Sequence, residues 1–438
     1  MGHDRAARRP RVVVVGAGFG GLAAAHALRR APVEVLLVDR VNYHTFQPLL
    51  YQVATAGLEA AAIARAVRAI LRSQRNFSFR LGTVSGADLL RREIRFEDGD
   101  RLAYDHLVLA VGATTADYGI PGVAEHGFGL KSLTDAIRLR SHVLECFESA
   151  SRDPAEIDRG TLNFVIAGGG PSGVETAGAL VELFAHVLRR DYPGVDVARA
   201  RVVLLERDDR LLSAFHATSR AYALGELRRR GVEVRLGCAV VRAGPDEVVL
   251  AGGERIPTRT LLWAAGVRAN PLAEHLGLER TNAGRAVVEP DLSLPGHPEV
   301  FAIGDLAGSR DEKGALHPQL APVAIQGGRH VARAIEARLR GLPPPRFVYR
   351  DPGIMATIGR NAAVAELASG LRLRGWIGWI AWLALHLVQL IGFRNRALVL
   401  FDWTWSYFTY ERGSRLIVRP GSQRTRTTET SPTRSSTP

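Results

Sequence analysis

Cysteine is nearly missing from this 438-residue chain, which has only Cys146 and Cys238. Two cysteines so far apart form neither a disulfide framework nor a CxxC pair, which sets aside a disulfide reductase and a cysteine-ligated metal site. Lysine is equally scarce: Lys131 and Lys313 are the only two, so the net charge of +13 is carried almost wholly by arginine. That skew is of the kind a GC-rich genome produces and is no guide to function. The charge alone would suit a nucleic acid, but no recognition motif or basic aromatic repeat accompanies it. Apolar residues at 46% and charged residues at 23% exclude a mostly disordered or collagen-like chain, and the length suits two or three domains.

What the chain does have is a repeated strand–glycine–helix pattern. The start, MGHDRAARRPRVVVVGAGFGG, superficially resembles a signal peptide, with arginines ahead of an apolar run. VVVV followed by GAGFGG and LAAAHALRR reads better as strand, phosphate loop and helix, so this segment is expected to be folded and retained. Residues 163–173, NFVIAGGGPSG, repeat the pattern of residues 11–21, RVVVVGAGFGG. A second apolar strand follows each, VEVLLVD at 33–39 and ARVVLLE at 200–206. Two βαβ units in one chain imply two dinucleotide sites on parallel, Rossmann-like sheets.

In Gly16-x-Gly18-x-x-Gly21 the first glycine makes the turn, the second admits the pyrophosphate and the third lets helix pack on strand, with the helix N-terminus facing the phosphates. Asp39 ends the next strand 23 residues after Gly16 and suits an adenosine ribose. Gly168, Gly170 and Gly173 repeat the logic with Glu206 as the terminal acid, 38 residues on, so residues 185–200 must hold an inserted turn. A carboxylate there favours NADH over NADPH, although Arg207 beside it could accept a 2′-phosphate. Glu175 stands in the first turn of the second helix, where a helix dipole alone would favour an acid. Further strand signals are HLVLAVG at 106–112, TLLWAAG at 260–266 and VFAIGD at 300–305.

With both loops placed, the chain resembles the type II NADH dehydrogenases, peripheral NADH:quinone oxidoreductases with two dinucleotide-binding domains. The resemblance runs from residue 11 to 417. It is carried by VVVVGAGFGGL, by NYHTFQPLLYQVATAGL at 42–58, by YDHLVLAVGA, GIPG, AGGGPSGVETAG, LLWAAGV, VFAIGD and AIQGGRHVA, and by MATIGRNAAVAE at 355–366. The blocks at 42–58 and 355–366 are the most particular to the family. The resemblance implies an α/β fold of two Rossmann-like domains, the second inserted in the first. Residues 1–120 and 291–346 would form the FAD-binding domain, 121–160 a helical connection, 161–290 the NADH-binding domain, 347–418 a membrane-associating helical region and 419–438 a disordered tail. The cofactor contacts it implies are Gly16, Gly18, Gly20, Gly21, Asp39, Ala110, Gly112, Gly304, Asp305 and Ala324, with Gly168, Gly170, Gly173, Glu206, Ala265 and Gly266 on the NADH side. Glu175 would stand near the nicotinamide and flavin rings.

The family often shows Ala-Gln-x-Ala-x-Gln near the quinone face of the flavin. Here the stretch is Ala321-Pro322-Val323-Ala324-Ile325-Gln326, so proline replaces the first glutamine and removes a backbone donor. Gln326 is then expected at the quinone end, unless it is a capping or packing glutamine. Five of six tryptophans lie late in the chain, and residues 376–392 (WIGWIAWLALHLVQLIG) carry no formal charge. As a helix this stretch reaches roughly 26 Å at about 1.5 Å per residue, the low edge of a membrane span. Trp376, Trp379 and Trp382, near one face, with Arg372, Arg374, Arg394 and Arg396 at the ends, favour an interfacial helix over a span or a buried core helix.

The expected protein is a single-chain, non-proton-pumping flavoenzyme passing hydride from NADH to FAD and two electrons to a membrane quinone. It would sit on the cytoplasmic side of the cell membrane, with menaquinone against ubiquinone and a homodimer both left open. The alternatives are a sulfide:quinone reductase, for which the cysteines match no pattern, and a flavoprotein whose nucleotide state regulates a partner.

Overall fold

The computed structural model describes residues 8–281, 283–409 and 413–418. The expected disordered tail and the residues before position 8 lie outside them.

The first unit begins with β1 (Arg11–Val15), α1 (Phe19–Ala27), β2 (Glu34–Asp39), a short α2 (Leu50–Ala54), β3 (Phe77–Leu81) and β4 (His106–Leu109). Val12 to Val15 are all buried, as a strand covered on both faces requires. The chain leaves through β5 (Ala113–Thr115) and α3 (Leu133–Arg152). A capping box opens α3, with Ser132 and Asp135 each satisfying the other's backbone N–H. The second unit follows: β6 (Asn163–Ala167), α4 (Pro171–Leu183), β7 (Arg201–Leu205), α5 (Ala217–Arg229), β8 (Val232–Arg235) and β9 (Thr260–Trp263). The extra residues between α4 and β7 continue the helix through a widened turn, Phe184–Leu188, before a loop returns the chain. Then β10 (Val267–Ala269) pairs antiparallel with β5, joining the two units.

β11 (His297–Ala302) returns to the first sheet, and α6 (Ala321–Leu339) lies against α1. The first sheet has the order β11–β4–β1–β2–β3, all parallel, with Ser293–Leu294 added antiparallel at the β11 edge. The second is ordered β9–β6–β7–β8, also parallel, with Gly127–Phe128 beyond β9. In each, strand order reverses at the first strand, β1 or β6, the place where doubly wound sheets bind ligands.

The chain ends in an antiparallel sheet, β12 (Gly353–Gly359), β13 (Ala362–Leu367) and β14 (Arg372–Arg374), followed by α7 (Gly375–Gln389) and α8 (Phe393–Thr409). These share one core with α2, α3 and α4. Arg230 of the second unit reaches Glu182, Glu226 and the Arg360 carbonyl, while Arg360 donates to the carbonyls of Ser406 and Tyr407 at the end of α8.

The C-terminal tryptophans do not share a face. Trp382 is 1% exposed and is among the largest fully buried side chains, whereas Trp376 is 58% exposed. The buried positions of α7 are Gly378, Trp382 and His386, spaced by four, so α7 is half core and half surface. Among the described residues no helix is long and apolar enough to cross a membrane.

Candidate active site

The first phosphate loop is fixed by Gly16, whose φ of +105° and whose approach to β4 admit no side chain: a Cβ there would lie 2.4 Å from the Ala110 carbonyl oxygen. Gly168 repeats this, with φ +113° and a Cβ position 2.5 Å from the Ala264 oxygen. Around Gly18 and Gly170 nothing lies within 4 Å of a Cβ position, so both loops are open at the same point. The two acids are alike as well. Asp39 accepts from the Ala17 N–H at 2.6 Å and from the Val41 N–H at 3.0 Å. Glu206 accepts from the Gly169 N–H at 2.6 Å and from the Asp208 N–H at 2.9 Å. Each acid therefore stiffens its own loop as well as ending its strand.

The first loop opens into a cleft of about 670 Å³. Gly16, Gly18, Gly20, Asp39, Ala110, Gly112, Gly304, Asp305 and Ala324 all line it, with Gly21 packed behind. The sequence pattern missed Lys131, Gln319 and His44, which line it too. Burial pushes the Asp305 carboxyl up and the Lys131 ammonium down, and each charge partly restrains the other's shift. Gln319 donates to the Asp305 carbonyl at 3.1 Å. His44 Nδ1 donates to the Ala17 carbonyl at 2.9 Å, leaving Nε2 buried in the protein without a partner. A cleft of this size with an open phosphate loop, a half-buried acid and base in its lining and an unmatched acceptor in its wall fits FAD.

A second cavity, of about 100 Å³, lies between α2, α4, β12 and the two C-terminal helices. Glu175 is in its wall with Tyr51, Gln52, Thr357, Trp382 and Trp403. The Thr357 N–H donates to Glu175 Oε1 at 3.3 Å, and Trp403 Nε1 donates to Gln52 Oε1 at 2.8 Å. Burial pushes the Glu175 carboxyl up to about 8, against the opposing pull of the Thr357 N–H and the Trp382 indole. The segment at 42–58 walls both spaces, residues 43–47 in the cleft and 51–57 in the cavity. The structure thus turns Glu175 towards the C-terminal elements.

Gln326 lies in neither wall. Its amide is taken up by the backbone of Arg350, donating to the carbonyl at 2.8 Å and accepting from the N–H at 3.0 Å. That is the packing alternative, and Gln319 is the glutamine at the cleft. Pro322 sits in the first turn of α6, where a missing N–H costs no helix hydrogen bond. On the other unit, Gly168, Gly170, Gly173 and Glu206 surround the second loop. Ala265 adjoins it, 2.7 Å from a Cβ position on Gly168, and Gly266 follows.

The pattern of the pyridine nucleotide-disulphide oxidoreductases matches residues 10–328, and that of the NDH2 C-terminal domain matches residues 352–410. The chain is 39% identical over 427 residues to the type II NADH:quinone oxidoreductase Ndh of Mycobacterium tuberculosis, covering 94% of this chain and 91% of that protein. It is 39% identical to NdhA of the same organism, over 94% of this chain and 90% of that one. In fold it is similar to NDH2 of Plasmodium falciparum solved with NADH, with a TM-score of 0.85 at 17% identity, covering 94% of this chain and all of that one.

Proposed function

The chain belongs to the type II NADH:quinone oxidoreductase family, and from that premise we propose how its two cavities divide the reaction. It is an FAD-dependent enzyme that oxidises NADH and reduces a quinone. FAD, when bound, supplies the redox chemistry, taking hydride and returning electrons in a pair. The open first loop with Asp39 would hold the pyrophosphate and ribose of FAD, with Gly304, Asp305, Lys131 and Gln319 completing the walls of its cleft. The second loop, with Glu206 at its strand end, takes NADH, and the carboxylate disfavours a 2′-phosphate.

Glu175 carries the quinone reading. A carboxyl raised to about 8 holds its proton at neutral pH, and reduction of a quinone to a quinol consumes protons. The cavity beside it is lined by tryptophans of α7 and α8 and by the two sequence blocks most particular to the family. Glu175 is the internal proton donor there. Reoxidation of the enzyme by a short-chain quinone should therefore slow as pH rises through about 8, and Glu175→Gln should be slow and flat across that range. A Glu175→Gln variant that keeps the native pH profile would remove this role.

The sulfide:quinone alternative lacks its thiols: Cys146 is buried and pushed up to about 12, and neither cysteine lines either space. Membrane seating rests on the exposed apolar side chains of α7 and α8, among them Trp376, Val388, Phe393, Phe401 and Trp405, with the exposed Arg394 beside them. Trp376→Ser/Phe401→Ser/Trp405→Ser should cut co-sedimentation with anionic vesicles while leaving flavin content intact. Trp382→Ser should instead lower thermal stability, by about 3–5 kcal/mol as for other buried tryptophans.

A further inference from the structure

Tyr118 holds a backbone conformation that tyrosine avoids. Its φ is +53°, in the left-handed region where a Cβ crowds the chain. The turn Asp117–Ile120 imposes it, Tyr118 and Gly119 both taking positive φ while the Ile120 N–H donates to the Asp117 carbonyl at 3.0 Å, and the ring is left 63% exposed. Its hydroxyl donates to the Ala265 carbonyl at 3.4 Å, a long hydrogen bond. A Cβ on Gly266 would lie 2.2 Å from that hydroxyl, so the glycine is what leaves the phenol room. The turn thus presents an exposed aromatic ring, tethered by its hydroxyl over a glycine, as a surface that a planar ligand can cover.

Its position says which ligand. Ala113, Thr114 and Thr115 of β5 line the first cleft, and Tyr118 follows three residues later. On its other side Ala265 adjoins the second phosphate loop. The second sheet reverses its strand order at β6, with β7 and Glu206 to one side and β9, leading into Ala265 and Gly266, to the other. A dinucleotide laid across such a switch point puts its adenosine towards the acid and its other half over the opposite strand. Tyr118 stands at that strand end, between the second loop and the flavin cleft.

We propose that the Tyr118 ring is the wall against which the nicotinamide ring of NADH packs, its hydroxyl tied to Ala265 to hold the ring in place. This rests on the second loop being the NADH site.

The test uses the FAD-loaded full chain and two ligands, NAD+ and ADP-ribose, which keeps both riboses and lacks only the nicotinamide ring. Tyr118→Asn keeps a residue that adopts the left-handed region readily but removes the ring. Calorimetry should show NAD+ weakened about five- to tenfold, as loss of an aromatic contact implies, and ADP-ribose unchanged. In stopped flow, NADH half-saturation for flavin reduction should rise by the same factor, with reoxidation by a soluble quinone at the native rate. Tyr118→Phe should retain most of the native affinity. NAD+ binding unchanged in Tyr118→Asn, or NAD+ and ADP-ribose weakened alike, or a slowed reoxidation, each overturns the proposal. Glu206→Gln separates it from its premise: if that variant leaves the NADH-to-NADPH preference unaltered, the second loop is not the nucleotide site and the reading beneath the proposal falls.

Discussion

At the first phosphate loop a Cβ on Gly21 would lie 1.8 Å from the Gly16 carbonyl oxygen, and at the second a Cβ on Gly173 would lie 1.9 Å from the Gly168 oxygen. The loops are near copies, down to acids that reach back to the same backbone position, yet their surroundings differ. Around the first, distant segments close in: His44 and Phe46 pack edge-on against Phe19 with centroids 5.0 and 5.8 Å away, and Lys131, Gln319 and Ala324 arrive from elsewhere in the chain. Around the second stand Arg207, Asp208, Asp209 and Arg210, all exposed, and Leu211, whose Cδ2 is 2.4 Å from a Cβ position on Gly169. Equal loops in unequal walls suit a retained cofactor and an exchanging substrate. Retention is then a property of the walls, while the loop supplies only the phosphate contact.

The largest effect should come from filling the glycine contacts that the loops share. Gly21→Val and Gly173→Val each force a strand and helix apart and should cost about 3–5 kcal/mol, read by thermal unfolding of the purified chain. The comparison predicts different losses: flavin absorbance from the first variant, and reduction by NADH with flavin still bound from the second. Next come the acids. Asp39→Ala and Glu206→Ala each remove two hydrogen bonds to a half-exposed carboxylate, at a cost of about 1.5–3 kcal/mol for the pair. Only Asp39→Ala should lower the flavin-to-protein ratio, and equal depletion in both would erase the distinction between retained and exchanged nucleotides. The smallest change, Glu206→Gln, keeps shape and removes charge. It should narrow the preference for NADH over NADPH about five- to tenfold in steady-state kinetics, an ordinary size for one exposed charge.

Most of this architecture was legible in the sequence because it is local. Glycine spacing, apolar runs and terminal acids lie within a few dozen residues of one another, and each has a steric or electrostatic reason. What escaped was decided by packing between distant segments. Gln326 looked like a quinone ligand because nothing near it in sequence shows that the Arg350 backbone will occupy its amide. Trp382 looked like a surface residue because tryptophan spaced by three was visible, while the buried stripe of α7 is spaced by four and begins at a glycine. Lys131 had no local signal: Lys313 is equally rare in this chain and lies in an exposed turn, so scarcity alone does not mark the cleft.

The order of strands in the first sheet bears on how the chain is made. β11 pairs with β4, but its residues, 297–302, follow those of β4 by the whole length of the second unit. The second unit, residues 163–263, is continuous and can complete its sheet while synthesis proceeds. The first cannot close until the other has emerged and been bridged, which makes its closing a non-local and slow step. The first sheet should therefore mature after the second on the ribosome, and FAD, whose cleft needs residues on both sides of that gap, should be captured only after the second unit has already folded.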